Sequence, residues 1–142
     1  VGSEMCIRDR TQVAEFSEPK NCRVFGDQLF VTNIWDGEIW RLDITDDGLD
    51  NAEVIFEGDS PVGLEFDKNG TMYYTLAWET SLYTIDQDGG EEVLYDGELM
   101  TPMRYITFNK KFMYLVYPGW GDVGQIMRVY IGVEQAPNYG RQ

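Results

Sequence analysis

The feature that most constrains this chain is an internal repeat with a period near 42 residues. "LFVTN" (Leu29 to Asn33), "MYYTL" (Met72 to Leu76) and "MYLVY" (Met113 to Tyr117) are strand-like runs led by an apolar and an aromatic residue. Each is followed by a loop and a second run, "EIWRLD", "SLYTID" and "QIMRVY". Phe30, Tyr73 and Tyr114 stand 43 and 41 residues apart, and Trp40, Tyr83 and Met127 stand 43 and 44 apart. More apolar runs precede each pair ("CRVF", "VGLEF", "YITF"), while "AEVIFEG" and "EEVLYDG" follow the first two pairs and "GVEQAP" takes that place after the third. Asp, Asn and Gly fill the short gaps, where tight hairpins need positive φ. No stretch keeps a 3.6-residue period, so almost no helix is expected.

Four antiparallel strands per repeat of this length is the pattern of a β-propeller. A parallel solenoid would repeat faster, and an immunoglobulin-type sandwich would not repeat internally. The expected fold is therefore all-β: a propeller fragment of about three four-stranded blades, near residues 11–60, 61–101 and 102–142. Three blades do not close a ring, since closed propellers have about four to eight. The missing blades of a longer chain are then the expected partner.

Residues 1–10, "VGSEMCIRDR", share neither the aromatic content nor the alternation of the rest. They resemble an adapter-derived translation found at the ends of environmental gene fragments, and are read as a non-native leader. Cys6 then carries no information, and Cys22 is a lone thiol.

Composition narrows the function. With 25 acidic against 11 basic residues the net charge is −14, which disfavours nucleic acid and anionic membranes, both of which need basic patches. Apolar runs are too short to span a bilayer. The absence of His excludes Ser-His-Asp and Cys-His catalysis, and any imidazole base, within these residues.

The line "PVGLEFDKNGTMYYTLAWETSLYTID" (Pro61 to Asp86) resembles the senescence-marker-protein/gluconolactonase family of six-bladed propellers, and more loosely NHL-repeat and strictosidine-synthase-like propellers. The resemblance covers about Lys20 to Val133. It implies metal-assisted hydrolysis of a sugar lactone or related ester, with a divalent cation (calcium, zinc or manganese) held in the central channel by Glu, Asn and Asp oxygens. Hard oxygen ligands suit such an ion, which polarises the carbonyl and acidifies bound water. The family places ligands one residue before a Gly that opens an innermost strand. That position is Val62 here, and stepping by the repeat gives Asn21 and Arg104. Asn21 is the one candidate metal ligand; valine cannot ligate, and Arg104 replaces a ligand with a cation.

Trp35, Trp78 and Trp120 fall five, five and six residues after the aligned aromatics. Each is expected in the loop between second and third strands, on the same rim as Asn21, Val62 and Arg104. Trp35, Trp78, Arg104 and Trp120 are accordingly the candidate ligand-binding residues for a small molecule, with the indoles stacking and Arg104 taking a carboxylate. Packing of each Trp against a neighbouring blade is the competing reading. The acidic runs "DITDDGLDNAE" and "DQDGGEE" lack EF-hand spacing and read as hairpin turns. Asp122, in the longer third loop, is a candidate ligand or general base. A non-catalytic propeller used for small-molecule or protein recognition is the alternative to the hydrolase.

Overall fold

Alternating side chains sort the chain into sheets whose faces are easily followed. The computed structural model describes residues 14–97, 99, 102–119, 121 and 123–137. The proposed leader, Trp120 and Asp122 lie outside these residues. Among the described residues there is no helix. The first sheet contains β1 (Pro19–Phe25), β2 (Gln28–Asn33), β3 (Glu38–Thr45) and β4 (Gly48–Glu57). The second contains β5 (Pro61–Phe66), β6 (Met72–Leu76), β7 (Leu82–Ile85) and β8 (Glu91–Tyr95), and the third β9 (Tyr105–Asn109), β10 (Phe112–Tyr117) and β11 (Gln125–Tyr130). Each is an antiparallel meander with its strands in sequence order. The fold is a β-propeller fragment.

Turn chemistry explains the meanders. Asp67 Oδ1 accepts the backbone N–H groups of Asn69 (2.8 Å) and Thr71 (3.1 Å). Asp86 Oδ1 accepts those of Asp88 (2.9 Å) and Gly90 (2.8 Å) in the same way. Gly70 and Gly89 both adopt φ of +84°, the left-handed region that only Gly enters without a steric cost. The acidic "DQDGG" run is thus committed to closing a hairpin.

The sheets stack face to face, with their first strands innermost: β5 packs between β1 and β9. Between sheets one and two lies a core of Phe30, Ile39, Leu64, Phe66, Met72, Tyr74 and Ile85. Tyr73, Leu82, Met103, Ile106, Phe108, Met113 and Leu115 fill the seam between sheets two and three. Burying a side chain of this size contributes about 1.5–3 kcal/mol. Every residue of β5 and β6 is buried, whereas β9 alternates exposed and buried. Two covered faces against one account for the difference.

A threonine hydroxyl bridges each seam. Thr32 Oγ1 accepts the Asn21 N–H (3.0 Å) and donates across to Val62 O (3.2 Å), with Asn21 O at 3.3 Å as the other acceptor in reach. Thr75 Oγ1 accepts the Gly63 N–H (3.1 Å) and donates across to Arg104 O (3.3 Å). In the aligned third run the same place is Val116, and Arg104 N–H donates to its carbonyl (2.9 Å).

Among the described residues after β11, none adds a fourth strand to the third sheet. The chain crosses to the β5–β6 turn, where Lys68 N–H donates to Glu134 O (2.8 Å) and Ala136 N–H to Phe66 O (3.0 Å). An isolated bridge joins Asp67 to Gln135, and Ala136 enters the first core. "GVEQAP" therefore fastens sheet three to sheet two instead of pairing with β11.

Two substitutions test the seam. Thr75→Val strands the buried Gly63 N–H and removes the donor to Arg104 O, so a loss of about 1–3 kcal/mol is expected in urea unfolding. A Cβ on Gly63 would run into Thr75 Oγ1 and stand 2.8 Å from Arg104 O. Gly63→Ala should therefore also cost about 1–3 kcal/mol.

Candidate functional site

Two loops reach the same end of the sheets, the end at which β1 and β5 begin. In the β2–β3 loop, buried Asn33 organises the backbone: its Oδ1 accepts Glu18 N–H (2.9 Å) and its Nδ2 donates to Asp36 (2.7 Å). Ser17 Oγ also donates to Asp36 (2.7 Å). Gly37, at φ +68°, turns the chain back, and its carbonyl accepts Gly58 N–H (2.8 Å). Trp35 rides on this loop with 77% of its surface exposed.

The β6–β7 loop shares the backbone anchor of the first, where Ile34 N–H donates to Glu18 O (3.0 Å), and ends in the same display. Ala77 N–H donates to Ser60 O (2.9 Å), and Tyr83 Oη donates to the Glu79 carboxylate. Trp78 is 68% exposed, and the Arg104 guanidinium carbon stands 4.7 Å from the ring centroid. That is cation–π geometry, worth about 0.5–1 kcal/mol at an exposed site. Neither Trp35 nor Trp78 is buried between blades. The structure brings Trp78 and Arg104 into contact, and places Trp35 on the corresponding loop of the first blade.

Asn21 is in a different situation. Its Oδ1 accepts from Arg23 Nη1 (2.8 Å), so a guanidinium already sits on the one oxygen offered to a metal. Arg23 Nε also pairs with the Glu65 carboxylate, joining the innermost strands of blades one and two. Glu65 is only 8% exposed. Burial pushes its pKa up, while the hydrogen bond and charge of Arg23 pull the other way.

Strand pairing also shifts the equivalence of the channel-mouth positions by one residue. Asn21 N–H and Gly63 N–H both bind the seam threonine of their own blade, and Tyr105 pairs with Val116. The structural counterparts of Asn21 are therefore Gly63 and Tyr105; those of Val62 and Arg104 lie at Lys20. These counterparts are spaced 42 residues apart, one full period, whereas the step from Asn21 to Val62 is 41 residues and so falls one short. With Val62 buried and apolar, Arg104 cationic and the Asn21 oxygen engaged, these positions do not fit a divalent ion. Among the described residues no three His, Cys, Asp or Glu side chains gather into a set that could hold one.

Two acids of the first sheet have local partners. Asp43 accepts from Gln28 (2.9 Å) and Asn51 (2.9 Å), and these hydrogen bonds lower its pKa. Glu53 pairs with Arg41. At the opposite end of the sheets, a cleft of about 840 Å³ opens between blades one and two. Phe25, Phe66 and Met72 line it together with Arg41, Asp43 and Asp86. No motif pointed to it, because its edge is made of the same Gly and Asp residues that close the hairpins. No helix among the described residues is long and apolar enough to cross a membrane.

No protein-family profile matches the chain, and no curated protein does. Among solved structures it is similar to luciferin-regenerating enzyme, a β-propeller, with a TM-score of 0.71 and 13% identity. The match covers 87% of this chain and 48% of that one. The chain thus spans about half the length of the neighbour, and the likeness is one of fold.

The buried pair gives a pH signature. The raised pKa of Glu65 means that the native state holds this proton more tightly than the unfolded chain does. Its contribution to stability is then fully present below the ordinary glutamate value of 4.5 and is lost as pH rises through the folded value. In Glu65→Gln this loss disappears. The melting temperature of the variant relative to the parent should therefore rise from below pH 4 upward, and a difference that is flat with pH would contradict the assignment.

Proposed function

We propose that this chain is part of a gluconolactonase-like propeller and that its task in these blades is to recognise a small ligand at the tryptophan rim. The contact of Arg104 with a largely exposed Trp78 carries this reading. An indole left in water forgoes about 1.5–3 kcal/mol of burial, and here two described blades leave one at the same loop position. Trp78 offers its remaining surface to a sugar ring or aromatic group, with the Arg104 guanidinium beside it for a carboxylate or ring oxygen. Trp35 supplies a second platform. Trp120, on the matching loop by sequence, belongs to the same proposal.

The fold likeness supports a second reading, metal-assisted hydrolysis of a lactone or ester. Under it the metal ligands come from outside these three blades, because the channel-mouth positions here offer one neutral oxygen that Arg23 already holds. The residues described then act on the substrate by stacking and orientation, and Arg23 with Glu65 fixes the spacing of two channel-lining strands.

Titration of the chain with sugar acids, lactones and aromatic carboxylates, read by tryptophan fluorescence, tests the first reading. Trp78→Ala should weaken binding about five- to tenfold, the value of one stacked contact of about 1 kcal/mol. Equal affinity in parent and variant, or no binding by either, would end it. Lactone turnover that chelation abolishes, in a longer chain that includes these blades, would support the hydrolase; binding without turnover there leaves recognition alone.

A further inference from the structure

Blades one and two meet inside the chain, and their seam changes character along its length. At the tryptophan end large side chains close it. Phe56, paired with Ile39 across β3 and β4, lies against Tyr74 with ring centroids 4.9 Å apart, and Tyr83 stacks on Tyr74 at 5.3 Å. At the other end blade two still presents an apolar wall, since the register sets Phe66, Met72 and Ile85 side by side. Blade one answers with polar groups. Its register runs Phe25, Gln28, Asp43 in one row and Phe30, Arg41, Glu53 in the next. Only the inner ends of these rows match the apolar wall: Phe25 stacks on Phe66 at 5.1 Å, and Phe30 meets it at 4.6 Å. Farther out, Arg41, Asp43 and Glu53 keep their hydration instead of packing on Met72 and Ile85, because burying a charge against hydrocarbon is costly. The cleft of about 840 Å³ is the space left between the two walls.

Its size is that of a small-molecule pocket, roughly 300–1,000 Å³, and its charge has one sign. Among the described residues that line it, Asp27, Asp43, Asp86, Asp88 and Glu53 are acidic and Arg41 is the one cation. Arg41 already pairs with Glu53, so the aspartates set the sign. Hydrogen bonds from Gln28 and Asn51 hold the pKa of Asp43 down, which keeps it charged. Asp86 spends Oδ1 on the backbone of its own turn. An acidic surface alone would gather only a diffuse layer of counterions. Here the carboxylates border an enclosed apolar wall, and Ile44, 41% exposed, adds an apolar edge.

We infer that this cleft binds a small organic cation, an ammonium group carried on an apolar body the size of an aromatic ring. The body covers the wall of Phe25, Phe66 and Met72, and the ammonium faces the carboxylates of Asp43 and Asp86. Neither half suffices alone: a bare cation leaves the apolar wall in water, and an apolar anion meets carboxylates of its own sign. The inference is independent of the tryptophan rim, which lies at the opposite end and presents the guanidinium of Arg104 instead.

Titration of the purified chain with benzyltrimethylammonium, read by methyl chemical shifts, tests this. Saturable shifts are expected at Ile44, Ile55, Met72 and Ile85, in the millimolar range that suits a ligand of about eleven heavy atoms. Phenylacetate, with a similar body and the opposite charge, should leave these methyls unmoved, and tetramethylammonium should bind at least about tenfold more weakly. Asp43→Asn should weaken binding about two- to fivefold. Asp59→Asn changes the net charge equally, at an exposed position outside the cleft, and should leave the affinity unchanged. Ile44→Ala alters a partly exposed side chain that folding does not depend on, and should also weaken binding about two- to fivefold. Absence of saturable shifts at these methyls would overturn the inference, and so would shifts centred on the indoles of Trp35 and Trp78. Equal binding of phenylacetate or tetramethylammonium, equal losses in the two aspartate variants, or full affinity in Ile44→Ala would overturn it as well.

Discussion

The threonine hydroxyl at each blade seam is the contact on which the rest of the structure depends. A blade is a twisted sheet with two faces, and apolar packing alone leaves its sliding position against the next blade poorly defined. Thr32 and Thr75 define it. Each accepts an N–H from its own first strand and reaches a carbonyl on the first strand of the next blade. The absence of a side chain at Gly63 is part of the same device, since a Cβ would occupy the space that the Thr75 hydroxyl uses. With the first strands held in this way, Arg23 can pair with Glu65 across the channel wall, and the second strands deliver their following loops to one end.

The rim follows from that registration. Trp35 and Trp78 come from loops with the same backbone anchor, Ile34 N–H to Glu18 O in one and Ala77 N–H to Ser60 O in the other, but with different side-chain bonds, Asn33 to Asp36 and Tyr83 to Glu79. Both leave an indole in solvent at the same end. Arg104 belongs to the lead-in of blade three but stands over the tryptophan of blade two, and the Thr75 bond to its carbonyl helps to keep it there. Seam and rim are therefore coupled: a change that loosens the seam also moves the cation away from the indole.

Much of this was legible in the sequence, and the failures have physical causes. The 42-residue period, the strand pairs and the hairpin turns follow from alternation and from Asp, Asn and Gly placement, which are local properties. Val62 and Arg104 do correspond, but Asn21 does not belong with them: it stands 41 residues before Val62, one short of the 42-residue spacing that strand pairing gives to Lys20, Val62 and Arg104. Pairing of Arg23 with Glu65 was hidden for a related reason: it joins side chains 42 residues apart through burial, and neither lies in a motif. "GVEQAP" has strand-like spacing, yet its backbone is taken by the β5–β6 turn and Lys110 instead of β11. Thr32 and Thr75 were visible within "LFVTN" and "MYYTL" as a recurring polar residue in an apolar strand, a signal that asks for a buried hydrogen-bond partner.

The most direct test of the account is a methyl-based nuclear Overhauser measurement on isotope-labelled chain, reading contacts of the Thr32 and Thr75 γ-methyl groups. The stacked-blade arrangement predicts cross-peaks from Thr32 to Val62 and from Thr75 to Arg104, alongside the contacts within each sheet. Intact contacts within the sheets without these two cross-peaks would show that the blades do not meet at the threonine seams, and would contradict the arrangement on which the rim depends.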